Sequence, residues 1–135
     1  NHLHMRLAVV DKRRFGPEDI EVGFVIGDVE GRNAIIIDDL IATGGSICQA
    51  ARVLKEKGAK DIYVAATHPV LCGAAVEKLK EAPIKEIAVT DTIPLNEDAK
   101  GLGSKIKVLT VSNLLGEAIK RIHTNTSISS MFTEQ

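Results

Sequence analysis

The sequence contains no Trp, one Tyr and three Phe, so it lacks the aromatic platforms on which readers of single-stranded nucleic acid stack bases. Neither sign of charge dominates. Lys and Arg number 17 against 18 Asp and Glu, a formal net charge of -1, and nothing in the bulk draws the chain to a polyanion such as DNA. No apolar run approaches the ~20 residues that span a bilayer, so a membrane protein is not expected either. Cysteine is scarce: Cys48 and Cys72 are the two present, without the CxxC spacing of a metal or redox site. Both are read as reduced and buried, one inside a helix and one at a helix start, which implies a cytoplasmic protein.

What is there is ordinary for a soluble globular domain: 135 residues, 44% hydrophobic and 26% charged. That length is enough for one compact domain with a single core. Asn1-His2-Leu3-His4-Met5 alternates histidines ahead of a methionine. It could be a metal-binding pair but is read as a tag remnant, so the domain is taken as residues 6–135.

Short apolar runs alternate with helical patterns. Leu7 to Val10, Val22 to Ile26, Ala34 to Ile37, Ile62 to Ala66, Ile87 to Val89 and Ile106 to Leu109 predict strands. Their continuous apolarity predicts cover on both faces. Ile47, Ala50, Ala51 and Leu54 repeat at helical spacing, and Gly58 provides a stop. A second helix is expected from Gly73 to Glu81, ended by Pro83. A third carries Val111, Leu114, Leu115, Ala118, Ile119 and Ile122 as a buried stripe, with Ser112 as N-cap. The alternation implies an α/β fold with a doubly wound, mostly parallel sheet flanked by helices. Phe15 to Glu21 and Asn96 to Ser104 read as mobile loops, and the tail from Thr124 either frays or docks Ile128, Met131 and Phe132.

Residues 34 to 47, Ala-Ile-Ile-Ile-Asp-Asp-Leu-Ile-Ala-Thr-Gly-Gly-Ser-Ile, place two carboxylates at the C-terminal end of a strand and a glycine pair at a helix start. In an open α/β sheet that edge is where ligands bind. First-turn amides lack intrahelical partners, the helix dipole is positive there, and glycines let an anion come close to the backbone. Thr43 and Ser46 add hydroxyls, while Asp38 and Asp39 are acceptors suited to vicinal sugar hydroxyls. Ribose 5-phosphate carries both kinds of group. The string has neither the Gly-Lys-Ser/Thr of a P-loop nor the G-x-G-x-x-G of a dinucleotide fold, and it resembles the binding signature of the type I phosphoribosyltransferase superfamily.

Further segments resemble ribose-phosphate pyrophosphokinase in the same order along the chain. They are Val10-Asp11-Lys12-Arg13-Arg14, Ile26-Gly27-Asp28-Val29-Glu30-Gly31, Ala66-Thr67-His68-Pro69-Val70-Leu71, Thr90-Asp91-Thr92-Ile93-Pro94-Leu95 and Ser127-Ile128-Ser129-Ser130-Met131-Phe132. The resemblance implies that Asp38 and Asp39 hold the ribose hydroxyls and that Ala42, Thr43, Gly44, Gly45 and Ser46 grip the 5-phosphate. Many family members have an acid where this chain has Ala42. Since the family's phosphate contacts there lean on backbone and hydroxyl groups, phosphate binding is expected to survive. Lys12 and Arg14 match the basic pair of a flexible catalytic loop that steadies charge during transfer from ATP. Ser127, Ser129 and Phe132 match a regulatory anion and nucleotide site between subunits, although by themselves they read equally as a frayed tail. His68 and Asp91 read as structural residues, a turn and an amide cap.

The reaction so implied moves a pyrophosphoryl group from ATP to the anomeric hydroxyl of ribose 5-phosphate, giving AMP and phosphoribosyl pyrophosphate, with magnesium neutralising charge. The family's ATP and metal contacts come largely from an N-terminal domain of similar fold, expected to be absent here, and no metal ligand is assigned to this chain. Family members are usually hexamers built on dimers. Two alternatives stand beside this reading: a phosphoribosyltransferase, and a non-catalytic regulatory homologue.

Overall fold

The computed structural model describes residues 9–10, 13–14, 20–21 and 25–133, with side chains from 27 to 132. The chain divides into two compact units, one within 6–109 and one built on 110–135. At the start of the larger unit lie β1 (Val9–Val10), β2 (Arg13–Arg14), β3 (Ile20–Glu21) and β4 (Val25–Ile26). β1 pairs with β4 and β2 with β3, both antiparallel.

The main sheet follows: β5 (Ala34–Leu40), α1 (Gly45–Glu56), β6 (Ile62–His68), α2 (Ala75–Glu81), β7 (Glu86–Thr90), a 3-10 helix (Glu97–Lys105) and β8 (Ile106–Leu109). Its order is β5-β6-β7-β8, all parallel, with Ala34 opposite Ile62, Val64 opposite Ile87 and Val89 opposite Val108. Parallel neighbours need crossovers, and the intervening helices supply them. The α/β fold with a parallel sheet and flanking helices is the one expected from sequence.

Side-chain alternation decides which face of the sheet is covered. Ile62, Val64, Ala66, Ile87 and Val89 are buried in one cluster with Ile47, Cys48, Ala51 and Leu54 of α1 and Val76 and Leu79 of α2. Both helices therefore lie on the same face. On the other, Ile35 is 46% and Ile37 68% exposed. The expectation of strands covered on both faces is not met within this unit.

α1 ends in a Schellman motif: the amide of Gly58 (φ 85) donates to Lys55 O at 3.0 Å and that of Ala59 to Leu54 O at 3.0 Å. α2 is closed by a distant cation. Lys105 Nζ donates to Leu79 O (2.7 Å), Lys80 O (3.0 Å) and Ala82 O (2.9 Å), carbonyls at the helix end that have no intrahelical donor. Burial lowers the Lys105 pKa from its ordinary value.

Two further sequence expectations in this unit are corrected. Asn96 to Ser104 is not a loop: the 3-10 helix occupies it, with a break at Gly103, and Asn96 Oδ1 accepts the Ala99 amide at 3.0 Å as N-cap. Its Ala99 and Leu102 are buried in the core, an anchoring too short to show as periodicity. Cys48 is buried as expected, but Cys72 is exposed, because α2 starts three residues later and leaves it in the preceding connection.

The smaller unit contains α3 (Ser112–His123) and α4 (Ser130–Thr133). Val111, not Ser112, is the N-cap residue of α3, while the Ser112 amide donates to Thr110 Oγ1 at 3.2 Å. The stripe expected to be buried is exposed: Leu114 is 49%, Leu115 54%, Ile119 67% and Ile122 62% accessible. A unit this small has too few apolar side chains to cover a whole helix face. Arg121 organises the tail, with Nε on Glu117 Oε1 at 2.7 Å and Nη1 on Ser127 O at 3.1 Å and on Ser130 Oγ.

Candidate functional site

The pocket is built where β5 hands over to α1. The strand continues beyond Ile37 through Leu40, so Asp38 and Asp39 are strand residues, fixed by pairing of Asp38 with Ala66 and Leu40 with His68. Asp38 Oδ1 accepts the amide of Asp39 at 3.0 Å and Asp39 Oδ1 that of Leu40 at 2.8 Å. Each carboxylate is braced by one oxygen and faces solvent.

Five residues later α1 begins without a side-chain cap, its N-cap Gly44 lying in the left-handed region at φ 70, ψ -4. Among the described residues, no protein acceptor meets the amides of Thr43, Gly44, Gly45, Ser46 or Ile47. The first turn of a twelve-residue helix is therefore open to an anion, with the dipole adding positive potential.

Asp38 to Ile47 together line one open pocket of about 210 Å³. It gathers Asp38, Asp39, Ala42, Thr43, Gly44, Gly45 and Ser46 in one place. Acceptors sit at the strand end and donors at the helix end, which suits a ligand with hydroxyls at one end and an oxyanion at the other. Buried Ile41 forms part of the lining.

The other expected residues stand differently. Lys12 lies outside the described residues. Arg14 is described as backbone alone, in β2 opposite Ile20. Ser127, Ser129 and Phe132 belong to the smaller unit, where Ser127 O accepts from Arg121 and Ser129 O from the Phe132 amide at 3.1 Å. His68 ends β6 and so is a strand residue, not the turn residue expected from sequence, and its Nδ1 lies 2.9 Å from Thr92 Oγ1. The Asp91 amide donates to Leu109 O at 3.1 Å.

Sequence reasoning missed the segment that braces the pocket loop. Ile41 N donates to His68 O (2.9 Å), Leu71 N to Ile41 O (2.9 Å) and Cys72 N to Ala42 O (3.0 Å). Among the described residues no group of three or more His, Cys, Asp or Glu gathers as a metal cage. None of the described helices is long and apolar enough to cross a membrane.

Comparison with known proteins gives the family. Residues 17–133 match the family model of the phosphoribosyl synthetase-associated domain. The chain is 53% identical over 131 residues to the ribose-phosphate pyrophosphokinase of Caldanaerobacter subterraneus, covering 97% of this chain and 41% of that protein. To the enzyme of the same name from Haemophilus influenzae it is 50% identical, covering 93% and 40%. The crystal structure of phosphoribosylpyrophosphate synthetase from Mycobacterium smegmatis superimposes with a TM-score of 0.70 at 42% identity, over 75% of this chain and 33% of that one. The chain thus spans about 40% of the length of the curated relatives it matches. By sequence and by fold alike, it belongs to the phosphoribosyl synthetase-associated domain family.

Proposed function

We propose that this chain is the sugar-phosphate half of a ribose-phosphate pyrophosphokinase. The observation that carries the reading is the pocket itself, in which two strand-tip carboxylates and an uncapped helix start share one lining. Asp38 and Asp39 accept hydrogen bonds from the ribose hydroxyls, and the amides of Thr43 to Ser46, with the Thr43 and Ser46 hydroxyls, hold the 5-phosphate. The separation matters, because a carboxylate against the phosphate would repel it.

In the reaction the anomeric oxygen of the bound sugar forms a bond to the β-phosphorus of ATP. The bond from that phosphorus to the α-phosphate bridge breaks, AMP leaves, and the hydroxyl proton is lost to solvent or base. Positioning and charge stabilisation dominate such transfers. The pocket fixes the acceptor, and Lys12 and Arg14 supply cations toward the transferred group. Magnesium in this chemistry is held largely by substrate phosphates with one or two carboxylates. In this reading magnesium would enter with ATP, with its protein ligands mainly in the N-terminal domain of the full-length enzyme.

Calorimetry tests the reading. The chain is expected to bind ribose 5-phosphate, and to form little or no AMP from ATP and ribose 5-phosphate. No detectable sugar-phosphate binding, or vigorous AMP formation by this chain alone, would overturn it.

A further inference from the structure

The pocket loop from Ile41 to Gly44 has no regular structure of its own and leans on a second segment, His68 to Cys72, through three backbone hydrogen bonds. Within that segment Leu71 has φ 47, left-handed backbone that the Cβ of an L residue disfavours. Leu71 is 2% exposed. Its side chain is fixed in the core, its amide reaches Ile41 O, and its carbonyl must find a donor in this unusual orientation. The donor is Asn96 Nδ2, at 3.1 Å.

Asn96 holds both ends of its amide. While Nδ2 grips Leu71 O, Oδ1 accepts the Ala99 amide at 3.0 Å and starts the 3-10 helix, which is anchored through buried Ala99 and Leu102. A carboxylate would keep the cap but face the Leu71 carbonyl with a second acceptor. A hydroxyl would keep the cap but fall short of Leu71. Only a carboxamide of this length donates in one direction and accepts in the other.

We infer that Asn96 is a positioning residue for the ligand pocket: it sets the Leu71 backbone, and through the Ile41 and Ala42 carbonyls the height of the loop that presents Thr43 to Ser46. Asn96 is not among the residues that line the pocket. The inference rests on the sugar-phosphate reading for its functional half, and on hydrogen bonds alone for its structural half.

Asn96→Asp and Asn96→Ser both retain an acceptor for Ala99 and remove the donor to Leu71. Lys105→Met is the control: it loosens the end of α2 and the same 3-10 helix without touching Leu71. Amide hydrogen exchange on the whole chain, which needs no ligand, reads the Ile41, Leu71 and Cys72 amides. Both Asn96 variants are expected to exchange at these amides at least about tenfold faster than Lys105→Met after correction for melting temperature, and to bind ribose 5-phosphate about tenfold more weakly. Exchange no faster than in the control overturns the inference, and so does faster exchange with unchanged affinity. Should the unsubstituted chain fail to bind ribose 5-phosphate, the proposed function falls, while the exchange comparison still decides whether Asn96 sets the loop.

Discussion

Two adjacent glycines at the start of α1 are predicted to do different work, and alanine at each separates them. Gly44 has φ +70, and a Cβ there would lie 3.4 Å from Leu79 Cγ and 3.6 Å from Ala75 O. Left-handed backbone in a residue with a Cβ costs roughly 1–2 kcal/mol, while the contacts with α2 are of ordinary van der Waals length. For a domain of this size the expected fall in melting temperature is about 4–8 °C. Gly45 has no such backbone constraint, and its Cβ would meet only Thr43 Oγ1 at 3.8 Å. Inside a helix start, Ala is as good as Gly or better, so Gly45→Ala is expected to melt no lower than the parent. Its effect falls on the ligand instead: the new methyl group stands on the pocket lining where the phosphate approaches the backbone. Losing one hydrogen bond to a charged group weakens binding by about 1.5–3 kcal/mol, roughly 10- to 100-fold in Kd. Calorimetry with ribose 5-phosphate and a thermal melt on each variant give the four numbers needed. A Gly45→Ala protein that binds as tightly as the parent would refute the close-approach argument. A Gly44→Ala protein that melts like the parent would refute the argument from left-handed backbone.

Replacing Asp38 and Asp39 together by Asn is expected to weaken ribose 5-phosphate binding at least about tenfold, as charged hydrogen bonds are lost, while inorganic phosphate binds as before or slightly tighter; equal loss of both ligands in calorimetry would contradict the division of labour. Exposed Cys72 is expected to react with a thiol reagent in the native protein, and Cys48, whose pKa burial pushes up, only on unfolding; mass spectrometry showing both labelled at the same native rate would contradict the packing. The hydrogen bond from Arg121 holds the Glu117 carboxyl below its ordinary value of 4.5. A depressed acid stabilises the fold fully above its unfolded pKa, and the contribution is lost as pH falls through the lower folded value. An NMR titration should therefore place the Glu117 midpoint below 4.5, and a midpoint at or above it would show that the pair does not persist in solution.

Much of the candidate site could be read directly, because its chemistry is local. Asp38-Asp39 and Thr43-Gly44-Gly45-Ser46 are close in sequence, and a strand followed by a helix places them on one pocket wall by geometry alone. The order of strands and helices was legible for the same reason, since periodicity records which side chains a single element must bury. Where a residue's role depends on a partner far along the chain, the sequence carried no such signal. Lys105 closes a helix that ends at Glu81, and Asn96 supports Leu71, each across more than twenty residues. Neither is periodic or part of a motif. The stripe on α3 shows the converse, because amphipathic spacing states that a face is apolar and not that something covers it.

The sequence by itself determined the α/β class, the parallel strands and the makeup of the candidate site, because each follows from backbone periodicity and short-range chemistry. Tertiary structure alone decided which face of the sheet is covered, that Glu97–Lys105 forms a 3-10 helix, and what holds the pocket loop in place. Those outcomes depend on packing and hydrogen bonds between distant segments, whose energies are settled only when the chain has closed on itself.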